Sequence, residues 1–171
     1  ESASGEYPVI TAGTQAKIAK RMEEYIDFSK QATDSFRAFM SNPNKTVNSA
    51  MANTVMQTAV LTDTKLIVCF SSSPESAKLI SKARPNCPIL FITDNRLEAF
   101  ASCLNYGIYP VILPRLPQFI EEMEVIALLQ ARKLGFEPGN KIIITGGVPT
   151  GASNTNFMKI ISVIKPRELE I

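Results

Sequence analysis

The chain has 171 residues, 18 Lys and Arg against 16 Asp and Glu, three cysteines and no histidine. A chain of this length can bury a sizeable core, and the lack of an imidazole excludes Ser-His-Asp and Cys-His nucleophiles as well as histidine metal sites. The net charge of +2, with interspersed signs, provides no broad basic field, so we expect neither nucleic acid nor a membrane surface as a partner.

The first predicted element is helical. Apolar residues recur at helical spacing over 11–40, which predicts one long helix, or two in line, with a packed face and a solvated face. The cluster Asn42-Pro43-Asn44 then interrupts the pattern. We therefore place a domain boundary there and divide the chain into 1–44 and 45–171.

Helical and strand patterns alternate after residue 45. Continuous apolar strands joined by helices are typical of a parallel sheet that is covered on both faces. The sequence therefore predicts an α/β fold, a doubly wound and mostly parallel five-stranded sheet with helices on both faces, preceded by a long N-terminal helical segment. Helices are predicted over 46–61, 75–83, 96–104 and 117–134, and strands over 65–70, 89–93, 109–113, 141–145 and 157–164.

The cysteines indicate a reducing compartment. They are odd in number and widely spaced without a CxxC pair, which does not suit a disulfide framework or a zinc site. Cys69 lies in an apolar run over 66–70, where burial is expected to raise the pKa of its thiol.

Residues 1–13 are polar and turn-rich, unlike a secretory leader, and no apolar run reaches membrane length. We expect a cytoplasmic protein with no metal site in this chain.

Two loops at predicted strand ends contain groups that can bind a phosphate or a sulfate. In the loop over 71–76, Ser73 and Pro74 suit the cap and first turn of a helix, which leaves backbone N–H groups beside several hydroxyls. In the loop over 145–155, glycines permit close approach of the backbone and hydroxyls supply donors. The candidate phosphate-binding residues are Ser71, Ser72, Ser73, Ser76, Gly147, Thr150, Gly151, Ser153 and Asn154.

Each loop also has an ordinary structural explanation, as a capped helix start or as a plain connection. Neither loop matches a Walker sequence or GxGxxG, and Glu75 places a carboxylate where it opposes a bound anion. The two loops can form one pocket only if the first and fourth strands are neighbours. No paired general acid and base is evident, which disfavours a small enzyme acting on a phosphorylated substrate.

Several motifs nevertheless match one family in order along the chain. Residues 1–8, ESASGEYP, resemble the end of the signature GE[ST]AxGxYP of pyruvate kinase. Residues 76–89, SAKLISKARPNCPI, resemble its SAxxISKxRPxxPI block, and 107–111 resemble GVYPV. The segments TGGVP at 145–149 and TNFMK at 155–159 resemble TAGVP and TNxMKV of the bacterial-type enzymes. The similarity extends over essentially the whole sequence.

The resemblance implies the last helix of the catalytic barrel followed by the C-terminal allosteric domain. Catalytic residues, Mg²⁺ and K⁺ ligands, and contacts to ADP and phosphoenolpyruvate lie in the family's other domains, so this chain alone is expected to be inactive. In the allosteric domain the first-strand loop binds the phosphate of an effector, and the last strand pairs across a tetramer interface. Ser71, Ser73 and Ser76 keep the hydroxyl positions of the family's [ST]xSGxS loop.

Two departures from the family pattern concern the effector. Pro74 replaces a glycine and removes one N–H donor, and Glu75 stands where a neutral or basic residue is common. The segment over 113–120 is short, and no Trp or Arg stands where the family holds a second phosphate. We therefore expect a sugar monophosphate, a nucleotide monophosphate or sulfate rather than fructose 1,6-bisphosphate. The alternative is a free-standing anion-binding or protein-interaction module with the same fold.

Overall fold

Helices and strands alternate in the order that the sequence predicts. The computed structural model describes residues 2–149 and 155–164. The elements in these ranges are α1 (Pro8–Glu23), α2 (Phe28–Ser41), α3 (Val47–Thr62), β1 (Leu66–Phe70), α4 (Glu75–Lys82), β2 (Ile89–Thr93), α5 (Arg96–Ser102), β3 (Ile108–Ile112), α6 (Ile120–Lys133), β4 (Lys141–Gly146) and β5 (Phe157–Ser162).

The N-terminal helical segment consists of two helices rather than one. Asp27 begins the second, since its side chain accepts a hydrogen bond from the Lys30 N–H at 3.0 Å. The expected packed face of the first helix is absent, because no residue of α1 is buried and Val9 is 83% exposed. The apolar side chains of α1 are therefore open to solvent in this chain.

The sheet has the strand order β3-β2-β1-β4-β5. The first four strands run parallel, and β5 pairs with β4 in the antiparallel direction. β1 and β2 are buried along their whole length, because helices cover both faces of the sheet. This arrangement confirms the predicted doubly wound, mostly parallel five-stranded sheet.

Alternate residues of β1 enter two separate hydrophobic clusters. Leu66, Val68 and Phe70 pack on the face that α6 covers, together with Met123 and Ala127. Ile67 and Cys69 pack on the opposite face, where the buried residues of α3 and α4 include Val55, Ala59, Ala77 and Ile80. The core therefore consists of two layers, with the sheet between them.

Most element boundaries differ from the predicted ones by one to three residues. Pro117 is predicted to begin a helix, whereas α6 begins at Ile120 with Phe119 as its N-cap. β3 ends at Ile112 rather than at residue 113. This strand lies at an edge of the sheet and contains Pro110, which has no N–H to donate to a ladder and is tolerated at an edge.

The three cysteines are free thiols, as the sequence predicts. Burial raises the pKa of Cys69 from 9.0 to about 12, and it raises the pKa of Cys87 to about 12 against a smaller opposing effect of Lys65. Cys103 is exposed on the surface.

Within residues 2–149 and 155–164, the helices lack the combination of length and apolar character needed to cross a membrane.

Candidate functional site

The two loops predicted to bind an anion start next to each other. β1 and β4 are neighbouring parallel strands, and their last residues, Phe70 and Gly146, are partners in the register. The chain continues from β1 to one side of the sheet and reaches β4 on the other side, so the strand order reverses between them. Ligands of open α/β sheets bind at this kind of switch point, outside the carboxyl ends of the strands. The condition for a shared pocket is therefore met.

The serine loop, defined as residues 71–76, is hydrogen-bonded largely within itself. The Ser73 N–H donates to the Ser71 hydroxyl at 3.2 Å, and the Glu75 N–H donates to the Ser73 hydroxyl at 3.4 Å. The Ser71 N–H donates to the Ile92 carbonyl of β2 at 3.1 Å. The hydroxyls of Ser71 and Ser73 therefore accept from loop N–H groups that an anion would otherwise approach.

Helix α4 begins one residue later than the expected cap at Ser73 implies. Its N-cap is Pro74, with φ −76° and no side-chain cap, and the first helical bond runs from the Lys78 N–H to the Pro74 carbonyl at 2.8 Å. Ser73 is therefore not the N-cap residue, but its hydroxyl accepts from the N–H of Glu75, the first residue of the helix. The N–H groups of Ser76 and Ala77 have no acceptor inside the helix and point out of its positive end.

Ser76 differs from the other serines because it is buried. Its side chain is 8% exposed, and its hydroxyl shares a hydrogen bond of 2.5 Å with the hydroxyl of Thr155, just before β5. Ser72 and Ser73 are exposed, and Ser71 is half-buried. Of the four predicted serines, Ser71, Ser72 and Ser73 are therefore at least partly exposed, and only the Ser76 hydroxyl is hydrogen-bonded in the interior.

The glycine at the end of β4 allows the backbones of β1 and β4 to approach closely where the two loops begin. A Cβ built on Gly146 would lie 2.9 Å from the Phe70 carbonyl oxygen and 3.2 Å from a ring carbon of Phe157. Both distances are shorter than ordinary contacts, so a side chain does not fit. Gly147 follows and is half-buried, while Thr150, Gly151, Ser153 and Asn154 lie outside the described residues.

An asparagine that the sequence analysis did not single out closes the base of the second loop. The Asn156 amide oxygen accepts from the Val148 N–H at 2.9 Å, and its amide nitrogen donates to the Val148 carbonyl at 2.6 Å. The Asn156 N–H donates to the Gly146 carbonyl at 2.9 Å. The side-chain oxygen and nitrogen of Asn156 thus both bond the backbone of Val148 and hold the two ends of the loop together.

Asn48 of α3 is a second residue that the sequence analysis missed. Its amide oxygen accepts from the Thr155 N–H at 2.9 Å, across a separation of 107 residues. A hydrogen bond between residues so far apart in the sequence leaves no signal in local periodicity or in cap motifs. Only the packing of α3 beside the end of β4 brings the two residues together.

Charge near the loops is limited. Glu75 is exposed at the first position of α4, where its carboxylate already interacts with the positive end of the helix. Lys78 is half-buried one turn later. Among residues 2–149 and 155–164, no three Cys, Asp or Glu side chains come close enough to hold a metal ion.

An open cavity of about 560 Å³ lies at the other end of the sheet. Its lining includes Leu66 at the start of β1, Gly107 just before β3, and Glu23 and Phe28 from the two N-terminal helices. It therefore borders the amino ends of the parallel strands, away from both loops, and is a feature separate from the predicted pocket.

Comparisons with known proteins place this geometry in a family. The model for "Pyruvate kinase, alpha/beta domain" matches residues 49–161. A pyruvate kinase of Lactococcus lactis is 34% identical over 168 residues, covering 95% of this chain and 32% of that protein. One from Clostridium perfringens is 33% identical over 167 residues, covering 94% of this chain and 34% of that protein.

A solved structure supports the fold. The structure described as "Cryptosporidium parvum pyruvate kinase in complex with ADP" superposes with a TM-score of 0.77 at 23% identity, over 95% of this chain and 32% of that chain. The chain thus spans about a third of the length of the relatives it matches. The family resemblance of its motifs is confirmed, and the chain belongs to the pyruvate kinase α/β domain family.

Proposed function

We propose that the chain is the regulatory and assembly part of a pyruvate kinase, the glycolytic enzyme that transfers the phosphoryl group of phosphoenolpyruvate to ADP. The match to about a third of each relative supports this role. Catalytic groups, Mg²⁺ and K⁺ would belong to the remaining two thirds of the enzyme, which would be the first partner of this chain. The exposed apolar side chains of α1 offer a surface for that partner.

The regulatory ligand in this proposal is an anion at the serine loop. The adjacency of β1 and β4 is the observation on which the proposal depends, because it gives the serine loop a second wall beginning at Gly147. The Ser76 and Ala77 N–H groups at the start of α4, together with the exposed Ser72 hydroxyl, would donate to the oxygens of a phosphate or sulfate. Thr150, Gly151, Ser153 and Asn154 complete the proposed set.

The same groups limit which anion binds. Pro74 contributes no N–H, and the Glu75 carboxylate repels a second negative charge. The N–H groups of Ser73 and Glu75 already donate to the hydroxyls of Ser71 and Ser73, so these two backbone donors are not available to an anion. The pocket therefore suits one phosphate, as in a sugar monophosphate or a nucleotide monophosphate, or a sulfate, and it disfavours a bisphosphate.

Assembly would use the last strand. β5 pairs with β4 along one edge, and its other edge has no strand partner among the described residues. An unpaired edge with apolar residues such as Ile160, which is 43% exposed, is a ready template for a second copy. We therefore propose a homo-oligomer that forms across this strand, a tetramer in the complete enzyme, in the cytoplasm.

Amide NMR of the ¹⁵N-labelled chain tests the ligand. AMP, ribose 5-phosphate, glucose 6-phosphate and sulfate are titrated to millimolar concentration, with sodium chloride of equal ionic strength as the control. We expect signals of residues 71–77 to move with the phosphates and not with chloride. Equal shifts with chloride, or none, would contradict the anion site.

An activity assay tests the proposal that catalysis belongs to the remaining parts of the enzyme and regulation to this chain. The purified 171-residue chain is expected to form no ATP from phosphoenolpyruvate and ADP with Mg²⁺ and K⁺ present. Production of ATP above the level of a buffer blank would overturn the regulatory assignment, whatever the outcome of the titration.

A further inference from the structure

Two helices meet at the buried residue Thr155. Its side chain is 5% exposed, its N–H donates to Asn48 of α3 at 2.9 Å, and its hydroxyl is bonded to Ser76 of α4. Buried polar groups must keep their partners, because an unpaired donor in the interior is unfavourable. A displacement of Ser76 therefore either moves Thr155 or breaks a buried hydrogen bond.

Asn48 is available for this contact because α3 is capped by other residues. The Thr46 hydroxyl accepts from the Ser49 N–H at 3.1 Å, and the Ser49 hydroxyl accepts from the Thr46 N–H at 2.9 Å. This capping box satisfies the helix start without the side chain of Asn48. The amide oxygen of Asn48 is consequently free to accept from a residue outside its own helix.

The connection continues from α3 toward the N-terminal helices. The Gln57 side-chain nitrogen donates to the Ala32 carbonyl of α2 at 2.6 Å. Side-chain hydrogen bonds thus join the first turn of α4 to Thr155 and Thr155 to α3, and one more joins α3 to α2. Such a contiguous set of hydrogen bonds between helices is a physical route for coupling, and the coupling itself is measured in the tests below.

We propose that Thr155 is a positioning residue that couples the serine loop to α3. Ser76 begins the link, since it belongs to both the serine loop and the first turn of α4. A ligand that binds the Ser76 and Ala77 N–H groups displaces the first turn of α4. This displacement reaches Asn48 through the hydroxyl and the N–H of Thr155. The ligand part of this inference rests on the proposed function, whereas the coupling between the helices exists without ligand.

The first test uses hydrogen exchange of the ligand-free chain. Thr155→Val removes the hydroxyl at nearly constant volume, and Thr155→Ser keeps it. The readouts are the amides of Lys78 and Ala50, which donate the first helical bonds of α4 and α3. We expect exchange of both amides to rise about tenfold in Thr155→Val and less than twofold in Thr155→Ser.

A matched control separates coupling from a general effect of the substitution. Thr33→Val removes a hydroxyl that bonds within its own exposed helix, to the Ser29 carbonyl at 3.0 Å, and should leave both amides unchanged. A rise at Lys78 alone in Thr155→Val would mean that Thr155 supports only α4, and the proposal would be wrong. Equal rates in the Val and Ser variants would also overturn it.

The second test adds ribose 5-phosphate. In the wild-type chain we expect the signals of residues 71–77 and of Asn48 to Ala50 to move together, and in Thr155→Val only the serine loop to respond. Undiminished α3 shifts in Thr155→Val contradict the coupling. A wild-type serine loop that does not respond contradicts the proposed function alone, and the exchange rates then decide the inference.

Discussion

Phe70 and Gly146 are register partners at the ends of two adjacent parallel strands, and the space between their backbones admits no side chain at residue 146. The same contact that brings the two loops together therefore also restricts the sequence at this point. Because both loops continue from this pair, a displacement here changes the proposed pocket and the core at once.

Gly146→Ala should destabilise the chain. The added methyl group would lie 2.9 Å from the Phe70 carbonyl oxygen, which is backbone of the central strand and cannot rotate away. We expect the free energy of unfolding in urea to fall by about 1–3 kcal/mol. Gly13→Ala is the control for an added methyl group without steric conflict, since no atom lies within 4 Å of its Cβ, and its place inside α1 should make that variant slightly more stable than the wild type. Equal stability of the two variants would contradict the close approach at β4.

Cys69 should make stability depend on alkaline pH. Burial raises the pKa of its thiol from 9.0 to about 12, so the unfolded chain loses the proton first as pH rises. The contribution of this thiol is complete below about pH 9 and is lost between there and pH 12. Between about pH 8 and 10, Cys69→Ala should therefore reduce the decline in unfolding free energy by about 1.4 kcal/mol.

The readout is the pH slope, because the cavity left by Cys69→Ala lowers stability at every pH. Urea unfolding of the variant and of the wild type is measured at both pH values. Cys103→Ala is the control, since that thiol lies at the surface, and it should keep the wild-type decline. A slope that Cys69→Ala leaves unchanged would show that the thiol is accessible to solvent.

Glu75→Gln should strengthen phosphate binding. The Glu75 carboxylate stands at the first position of α4, beside the N–H groups proposed to hold the anion, and removing its charge removes a repulsion. We expect the dissociation constant for ribose 5-phosphate to fall about two- to fivefold in low salt, with a smaller change at high salt. Glu137→Gln, at the opposite end of the sheet, should not change it. Weaker binding in Glu75→Gln would mean that the carboxylate contacts the sugar rather than opposing the phosphate.

Ile160→Glu should weaken self-association. Ile160 is exposed on the edge strand β5, and a carboxylate there would be desolvated when a second copy pairs along this strand. Sedimentation velocity over a range of concentrations should show at least about a tenfold rise in the dissociation constant of the dimer. Leu97→Glu, on the exposed surface of α5, tests a nonspecific effect and should leave the constant unchanged. A wild-type chain that stays monomeric at the highest concentration would exclude this interface for the isolated chain.

Local signals in the sequence were enough to predict most of the helices and strands. The apolar run of β1 predicted a buried strand, and burial of Cys69 with a raised thiol pKa followed from that run. Asn95 caps α5, since its side chain accepts from the N–H groups of Leu97 and Glu98, and an asparagine directly before a helical pattern is a common cap residue. These features depend on residues within a few positions of one another, so periodicity and cap chemistry reveal them. The family motifs were read from the same short segments.

Tertiary structure decided what the candidate site is made of. The two loops could be predicted one at a time, but their adjacency depends on β1 pairing with β4, about 75 residues away along the chain. The sequence predicts Ser76 as one more ligand for an anion, whereas the fold buries its hydroxyl against Thr155. Asn48, 107 residues before Thr155, accepts from the N–H of that same threonine. Periodicity and caps are set by neighbours in the chain, while partners at such distances are set by how the strands are ordered and how the helices pack on them.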